Sequence, residues 1–219
     1  MASTPPEWLD PAIADYAGEH SHRPDALQRR LIAETARLGR AAGMQISPLQ
    51  GAFMELFVRA IGARQALEVG TFTGYSALCV ARALPDDGHL LCCDVNAEWT
   101  AIGRRYWDEA GVGHKIELRL GPGLDTLRAL PVAEQFDVAF VDADKGGYPS
   151  YLDEIVPRLR PHGVILVDNT LWSGRVLDAA DDSTNTTALR AFNDNVTADS
   201  RLFSVLLPMA DGLTLIQKL

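Results

Sequence analysis

From Ala66 to Gln217 the chain alternates short apolar runs with stretches whose apolar residues recur every three or four positions, the periods of strand and helix. The runs Ala66–Val69, His89–Val95, Lys115–Leu120, Phe136–Val141, Val164–Val167, Phe203–Leu207 and Leu213–Gln217 predict strands. Helices are predicted over Thr73–Leu84, Glu98–Ala110 and Gly123–Leu130 and near Thr187–Val196, with one more helix-length segment between Val141 and Val164. The turn Pro85–Gly88 closes the first of these. Upstream, Asp25–Ala42 carries Leu27, Leu31, Ile32 and Leu38 at roughly helical spacing. Pro48 opens a helix over Leu49–Ile61, and Gly62 ends it. Residues 1–24 are polar and broken by Pro5, Pro6, Pro11 and Pro24, and Ser173–Asn185 reads as a surface loop.

Regular strand–helix alternation predicts an α/β fold: a doubly wound, Rossmann-like sheet of seven strands, mostly parallel, with helices on both faces. Only Pro208–Gly212 separates the last two strands, too little for a parallel crossover, so the C-terminal strand should run antiparallel. With no linker, repeat or low-complexity stretch, residues 1–219 are expected to form a single domain with an N-terminal helical extension over 1–62.

Charge then removes whole classes of partner. A net charge of −9 argues against nucleic acid or an anionic membrane surface. No apolar run approaches the roughly 20 residues of a membrane span, and the N-terminus lacks a signal-peptide pattern, so a cytoplasmic protein is expected. Cys92 and Cys93 are adjacent on a strand and point to opposite faces, so with Cys79 they read as small buried residues rather than metal ligands. The five histidines show no HxH or HxxxH pair and read as surface residues.

The chemistry concentrates in Phe136–Trp172. Two apolar strands each end in acidic residues: Asp142, with Asp144 and Lys145 behind it, and Asp168, followed by Asn169. A right-handed strand–helix–strand crossover puts both strand ends on one edge of a parallel sheet, where open α/β sheets bind ligands. Oxygen donors converging beside a lysine suggest a hard divalent cation next to a proton acceptor. Taken singly, Asp168-Asn169 could be a turn pair and Lys145 a solvated charge.

At the first strand the chain reads EVGTFTGYS, Glu68 to Ser76. The spacing Gly70–Gly74 is GxxxG, not the GxGxxG of a pyrophosphate-binding turn, and a carboxylate at Glu68 would repel a pyrophosphate but suit an amine or sulfonium. Asp94 ends the second strand, placed to accept from ribose hydroxyls; that residue is shared by NAD and S-adenosylmethionine (AdoMet) sites. Together with the antiparallel terminal hairpin, Glu68 favours AdoMet. An NAD(P)-dependent oxidoreductase remains the alternative from another class.

From about Met44 onward the chain resembles the small, cation-dependent class I O-methyltransferases, the catechol and caffeoyl-CoA enzymes and their bacterial relatives. MQISPLQG (Met44–Gly51), LEVGTFTGYS (Leu67–Ser76), CDVN (Cys93–Asn96), VDADKGGY (Val141–Tyr148) and VDNTLWSG (Val167–Gly174) carry the resemblance. It implies Asp142, Asp168 and Asn169 as ligands of Mg²⁺, or of Mn²⁺ or Ca²⁺, and Lys145 as general base. It implies AdoMet contacts at Met44, Ile46, Glu68, Gly70, Thr71, Ser76, Asp94, Gly123, Asp142 and Asp144. Trp172, Ser173 and Tyr148 are implied for the acceptor pocket, and a homodimer for the assembly. The reaction implied is methyl transfer from AdoMet to a hydroxyl of a small catechol or catechol-bearing natural product.

The interval Asp178–Leu189 departs from the plant CoA-ester enzymes, which carry basic and aromatic residues there. Asp178, Asp181 and Asp182 would repel a CoA phosphate, so a free catechol is expected and a caffeoyl-CoA thioester is the alternative acceptor. No Asn/Asp-Pro-Pro-aromatic segment of the kind used by nucleic-acid or protein N-methyltransferases follows the fourth strand. Residues 1–24 match no motif and are candidates for a lid or a dimer contact.

Overall fold

The computed structural model describes residues 11–219; the part of the lid or dimer-contact expectation that concerns residues 1–10 lies outside them. Three helices precede the sheet: α1 (Pro11–Glu19), α2 (Ala26–Thr35) and α3 (Pro48–Ala60). Asp25 starts α2 with a capping box, its side chain accepting from Gln28 N while the Gln28 side chain accepts from Asp25 N. The single helix expected over Asp25–Ala42 breaks after Thr35. A 3₁₀ segment follows over Ala36–Met44, with Gly39 at φ 63°, ψ −125° inside it. Only glycine takes that conformation without strain, and the kink turns the chain so that Met44–Ile46 reaches the sheet edge. Ser47 caps α3 through Gln50 N, with Pro48 in its first turn. Helix α1 lies in the proline-interrupted stretch of the expected helical extension; its Pro11 occupies the first position, where proline's missing N–H costs nothing.

Thereafter strand and helix alternate: β1 (Gln65–Val69), α4 (Tyr75–Ala83), β2 (His89–Asp94), α5 (Ala97–Glu109), β3 (Ile116–Leu120), α6 (Gly123–Ala129), β4 (Phe136–Val141), α7 (Tyr148–Ile155), β5 (Leu159–Val167), α8 (Thr184–Ala198), β6 (Leu202–Leu207) and β7 (Leu213–Lys218). The strand order is β3-β2-β1-β4-β5-β7-β6, with every pairing parallel except those of β7, which runs antiparallel to β5 and β6. The doubly wound, mostly parallel sheet with one antiparallel C-terminal strand is thus as expected. β5 begins five residues earlier than its apolar run, because Arg160–Gly163 forms a bulge opposite β4, with His162 at φ 63°.

Side chains alternate across the sheet and build one apolar layer on each face. Ala66, Cys92, Val138, Phe140 and Leu166 pack with α3 and α4; Leu67, Val69, Ala139, Val141, Ile165 and Val167 pack with α7 and α8. The three cysteines are buried and unpaired, as expected. Among the described residues no helix is long and apolar enough to cross a membrane.

Candidate active site

From β1 the chain steps outward through β2 to β3, then returns to the other side of β1 for β4 and β5. Adjacent strands leaving in opposite directions open a crevice at their C-terminal ends. The ladder runs one residue past the strands there: Gly70 N donates to Cys93 O, Asp142 N to Val69 O, Asp168 N to Val141 O, at 2.9–3.0 Å. Asp94, Gly70, Asp142 and Asp168 therefore form a row across the sheet edge. Gly70 (φ +91°) makes this packing possible, since a Cβ there would lie 2.0 Å from Asp142 O.

A cleft of about 1610 Å³ opens over this row. Sites for one drug-sized ligand span roughly 300–1,000 Å³, so this one has room for two reactants. Met44, Ile46, Gly70, Thr71, Ser76, Asp94, Gly123, Asp142, Asp144, Lys145, Asp168, Asn169, Trp172 and Ser173 all line it. The sequence thus named residues from six separate segments that the fold brings to one surface.

Two expected site residues lie elsewhere. Glu68 is fully buried beneath the cleft, on the sheet face it shares with Ala66. Neither carboxylate oxygen has a hydrogen-bond partner, although the hydroxyls of Ser76 and Thr71, which do reach the cleft, face it. Burial above all, with the charges of Asp142 and Asp94 adding to it, pushes its pKa up to about 8. Tyr148 is not in the pocket wall either. Its ring is buried edge-on against Phe192 (5.5 Å), and its hydroxyl accepts from Lys145 Nζ (2.7 Å) and donates to Asp168 O (2.9 Å). It braces the lysine to the next strand end.

The acidic centre is built around Lys145, whose Nζ lies 3.0 Å from Asp142 Oδ1 and faces the rings of Tyr148 (5.0 Å) and Trp172 (5.9 Å). Asp168 is buried, and burial followed by the charge of Asp142 raises its pKa well above the usual carboxylate range. The Gln50 amide lies beside Asp168 and favours its charged form without closing a hydrogen bond. Among the described residues no group of three or more His, Cys, Asp or Glu side chains is arranged as a metal site. The set here is two carboxylates and an amide, and its chemistry fits a hard divalent cation: buried oxygen donors, more negative charge than Lys145 neutralises.

At the other end of the row, Asp94 Oδ2 accepts from Thr71 N (2.9 Å) and Phe72 N (2.8 Å), and Oδ1 from Asn96 N (2.7 Å). It fixes the loop after β1 and keeps acceptor capacity toward the cleft, since a carboxylate offers about four lone-pair sites. Phe72 and Trp99 meet edge to face (5.1 Å) beside it, an apolar wall suited to a flat heterocycle. Asn96 caps α5 through Glu98 N and Trp99 N and so sets the Trp99 position. Sequence reasoning did not single out Phe72, Trp99, Gln50 or Asp211, all of which line the cleft. Gln45, Gln50, Thr71 and Trp172 each present a buried polar atom without a hydrogen-bond partner, as a ligand-binding surface does when its ligand's groups are its partners.

The segment Ser173–Asn185, expected to be a loop, is ordered from within. Trp172–Leu177 forms a 3₁₀ turn, and Arg190 donates to the carbonyls of Val176 (2.8 Å), Asp181 (2.9 Å), Arg175 (3.1 Å) and Asp178. Arg175 is tied to Asp181 (2.6 Å).

A family model described as O-methyltransferase matches residues 18–219. A Dictyostelium discoideum protein named "Probable caffeoyl-CoA O-methyltransferase 2" is 38% identical over 212 residues, covering 95% of this chain and 92% of that protein. Caffeoyl-CoA O-methyltransferase 2 of Zea mays is 40% identical over 186 residues, 80% of this chain and 70% of the maize protein. Among solved structures, the O-methyltransferase TomG of Streptomyces achromogenes, involved in tomaymycin synthesis and solved in complex with SAM, superposes with a TM-score of 0.84 at 30% identity. That match covers 94% of this chain and 96% of TomG.

Proposed function

This chain belongs to the O-methyltransferase family, and from that premise we propose that it transfers the methyl group of AdoMet to one hydroxyl of a small catechol with the help of a divalent cation. Family membership removes the nicotinamide alternative. The observation that carries the finer reading is the row at the ends of β4 and β5. There Asp142, Asp168 and Asn169 adjoin Lys145 at one end of a cleft whose other end holds Asp94, Phe72 and Trp99.

Asp142, Asp168 and Asn169 would hold the cation, which when bound supplies Lewis acidity that lowers a phenol's pKa from about 10 and a template for two adjacent oxygens. The protein's own residues do the rest. Asp94 takes the ribose of the donor, and Phe72 with Trp99 its base; Gly70 admits the methionine part close to the strand ends. Lys145 Nζ, acting as the free amine, receives the acceptor hydroxyl's proton and becomes the ammonium, while the phenolic oxygen bonds to the methyl carbon and the carbon–sulfur bond breaks with its electron pair left on sulfur. Tyr148 holds Nζ from below, and Trp172 covers it. Holding both reactants at near-attack distance is worth up to about 7–11 kcal/mol, so positioning is the larger part of the catalysis.

The acceptor is read as a free catechol because the two arginines flanking the Asp178–Leu189 interval are engaged internally: Arg175 on Asp181, Arg190 on four backbone carbonyls. Neither is left to grip a CoA phosphate. The names of the relatives favour the thioester as the second reading. Purified protein given AdoMet, Mg²⁺ and either caffeic acid or caffeoyl-CoA separates them by kcat/KM, with caffeic acid expected to be the better substrate. Turnover that survives exhaustive EDTA treatment sinks the cation, and a preference for the thioester sinks the free catechol.

A further inference from the structure

The turn between β6 and β7 reaches the acidic centre from the far side of the sheet. β7 lies antiparallel beside β5 with Thr214 opposite Val167, so Asp211 and Gly212 run alongside the segment that follows Asp168. Two backbone bonds latch them: Thr170 N donates to Gly212 O (3.0 Å) and Leu171 N to Asp211 O (2.9 Å). The approach needs glycine, because a Cβ at Gly212 (φ +88°) would lie 2.5 Å from Leu171 N.

The Asp211 carboxylate points into the same gap. Its Oδ2 accepts from Asn169 Nδ2 (3.3 Å) and its Oδ1 from Ser173 N. An ionised carboxylate has no donor, so the amide nitrogen of Asn169 must be the atom facing Asp211, and Asn169 Oδ1 is turned away from it. The second bond fixes the turn Trp172–Ser173–Gly174, whose three residues all take positive φ (50°, 52° and 77°). We propose that Asp211 is a positioning residue: it decides which face of the Asn169 amide is offered as a ligand, and it sets the turn that carries Trp172. The inference rests on the reading of Asn169 as a cation ligand.

An amide has a right and a wrong face, whereas a carboxylate has two equivalent oxygens. That difference supplies the test. In Asp211→Asn, if the new Oδ1 keeps the Ser173 N–H, the new NH₂ points at Asn169. The Asn169 amide then turns its oxygen toward residue 211 and its nitrogen toward the ion. Mn²⁺ binding, followed by the EPR signal of the free ion, should weaken by about 10–100-fold, the usual effect of losing an outer-shell partner. AdoMet affinity, measured by calorimetry, should stay within about twofold, showing the fold intact.

In the Asn169→Asp background the face no longer matters, so adding Asp211→Asn should not weaken Mn²⁺ further. Equal weakening in both backgrounds would mean that Asp211 acts only through its charge, and would overturn the proposal. Wild-type protein that binds Mn²⁺ no better than Asp211→Asn does also overturns it while leaving the cation reading standing; wild-type protein that binds no Mn²⁺ removes both. Should Asp211→Asn not fold, Asp211→Ala removes the acceptor without adding a donor. Weakening that Asn169→Asp suppresses again supports the assignment, and weakening independent of background again overturns it.

Discussion

Replacing Glu68 by glutamine should make the ligand-free protein more stable at neutral and alkaline pH, an unusual result for a residue in the first strand. The buried carboxyl titrates at about 8 against an ordinary value of 4.5. Between those values the folded chain holds a proton that the unfolded chain has released, so the stability it contributes is complete below pH 4.5 and is lost as pH rises to 8. Each pH unit in that window is worth about 1.4 kcal/mol, giving at most ~5 kcal/mol over the whole of it. Glutamine mimics the protonated form and carries no such dependence. Urea unfolding of both proteins at pH 5, 6, 7 and 8 should therefore give curves that nearly coincide at pH 5 and diverge steadily, with the variant several kcal/mol more stable at pH 8.

The same residue reports on the donor. AdoMet carries a sulfonium and an ammonium, and a cation placed above Ser76 and Thr71 would draw the proton from Glu68. Saturating AdoMet should thus flatten the wild-type pH dependence and release protons on binding at pH 7. The measurement is calorimetry in buffers of different ionisation enthalpy. S-adenosylhomocysteine, which lacks the sulfonium, distinguishes the two charges. Parallel unfolding curves for wild type and Glu68→Gln would refute the placement of an ionisable, unpartnered carboxyl under the cleft. Binding without proton uptake or release would instead show that Glu68 stays neutral beneath the donor.

Three further outcomes follow from single contacts. Lys145→Ala should bind AdoMet as the parent does yet lose turnover by about 10²–10⁴-fold, measured as initial rates of catechol methylation; near-parental rates would remove Lys145 as the base. Gly70→Ala places a Cβ 2.0 Å from Asp142 O at a φ of +91°, and should cost at least ~3 kcal/mol and lower Tm by roughly 6–12 °C in a thermal melt. Arg190→Ala frees four carbonyls of the Arg175–Asp181 segment at once. Limited proteolysis should then cut there faster than in the parent, and an unchanged rate would show that the segment is held by other contacts.

What could be read from the chain was whatever local pattern dictates. The strand ends at Asp94, Asp142 and Asp168 were legible because apolar runs stop there and parallel crossovers bring such ends to one edge. Element bounds moved by a few residues, as at β5, where Pro161 and Gly163 sit in a bulge that an apolar-run criterion cannot see. The helix expected over Asp25–Ala42 ends at Thr35, although Leu38 continues the apolar spacing into the 3₁₀ segment that follows, where the fold uses Gly39 as a corner.

Asp211 stayed hidden because its position is set by pairing between distant segments. Asp211 sits in a sequence, PMADG, with the composition of an ordinary hairpin turn. Nothing local says that β7 will lie beside β5 and carry that carboxylate to Asn169, 42 residues away along the chain. Glu68 and Tyr148 show the converse. Their neighbours in sequence line the cleft, yet strand alternation turns Glu68 to the covered face, and the helical turn after Lys145 sends Tyr148 inward. Both are one layer below the reacting surface, where burial rather than contact gives them their leverage. The glutamate holds a proton at a pH where its exposed counterpart would be charged, and the tyrosine hydroxyl ties the lysine to the backbone of the neighbouring acidic strand end. A sequence shows which residues are near the chemistry along the chain; their depth beneath it comes from the sheet.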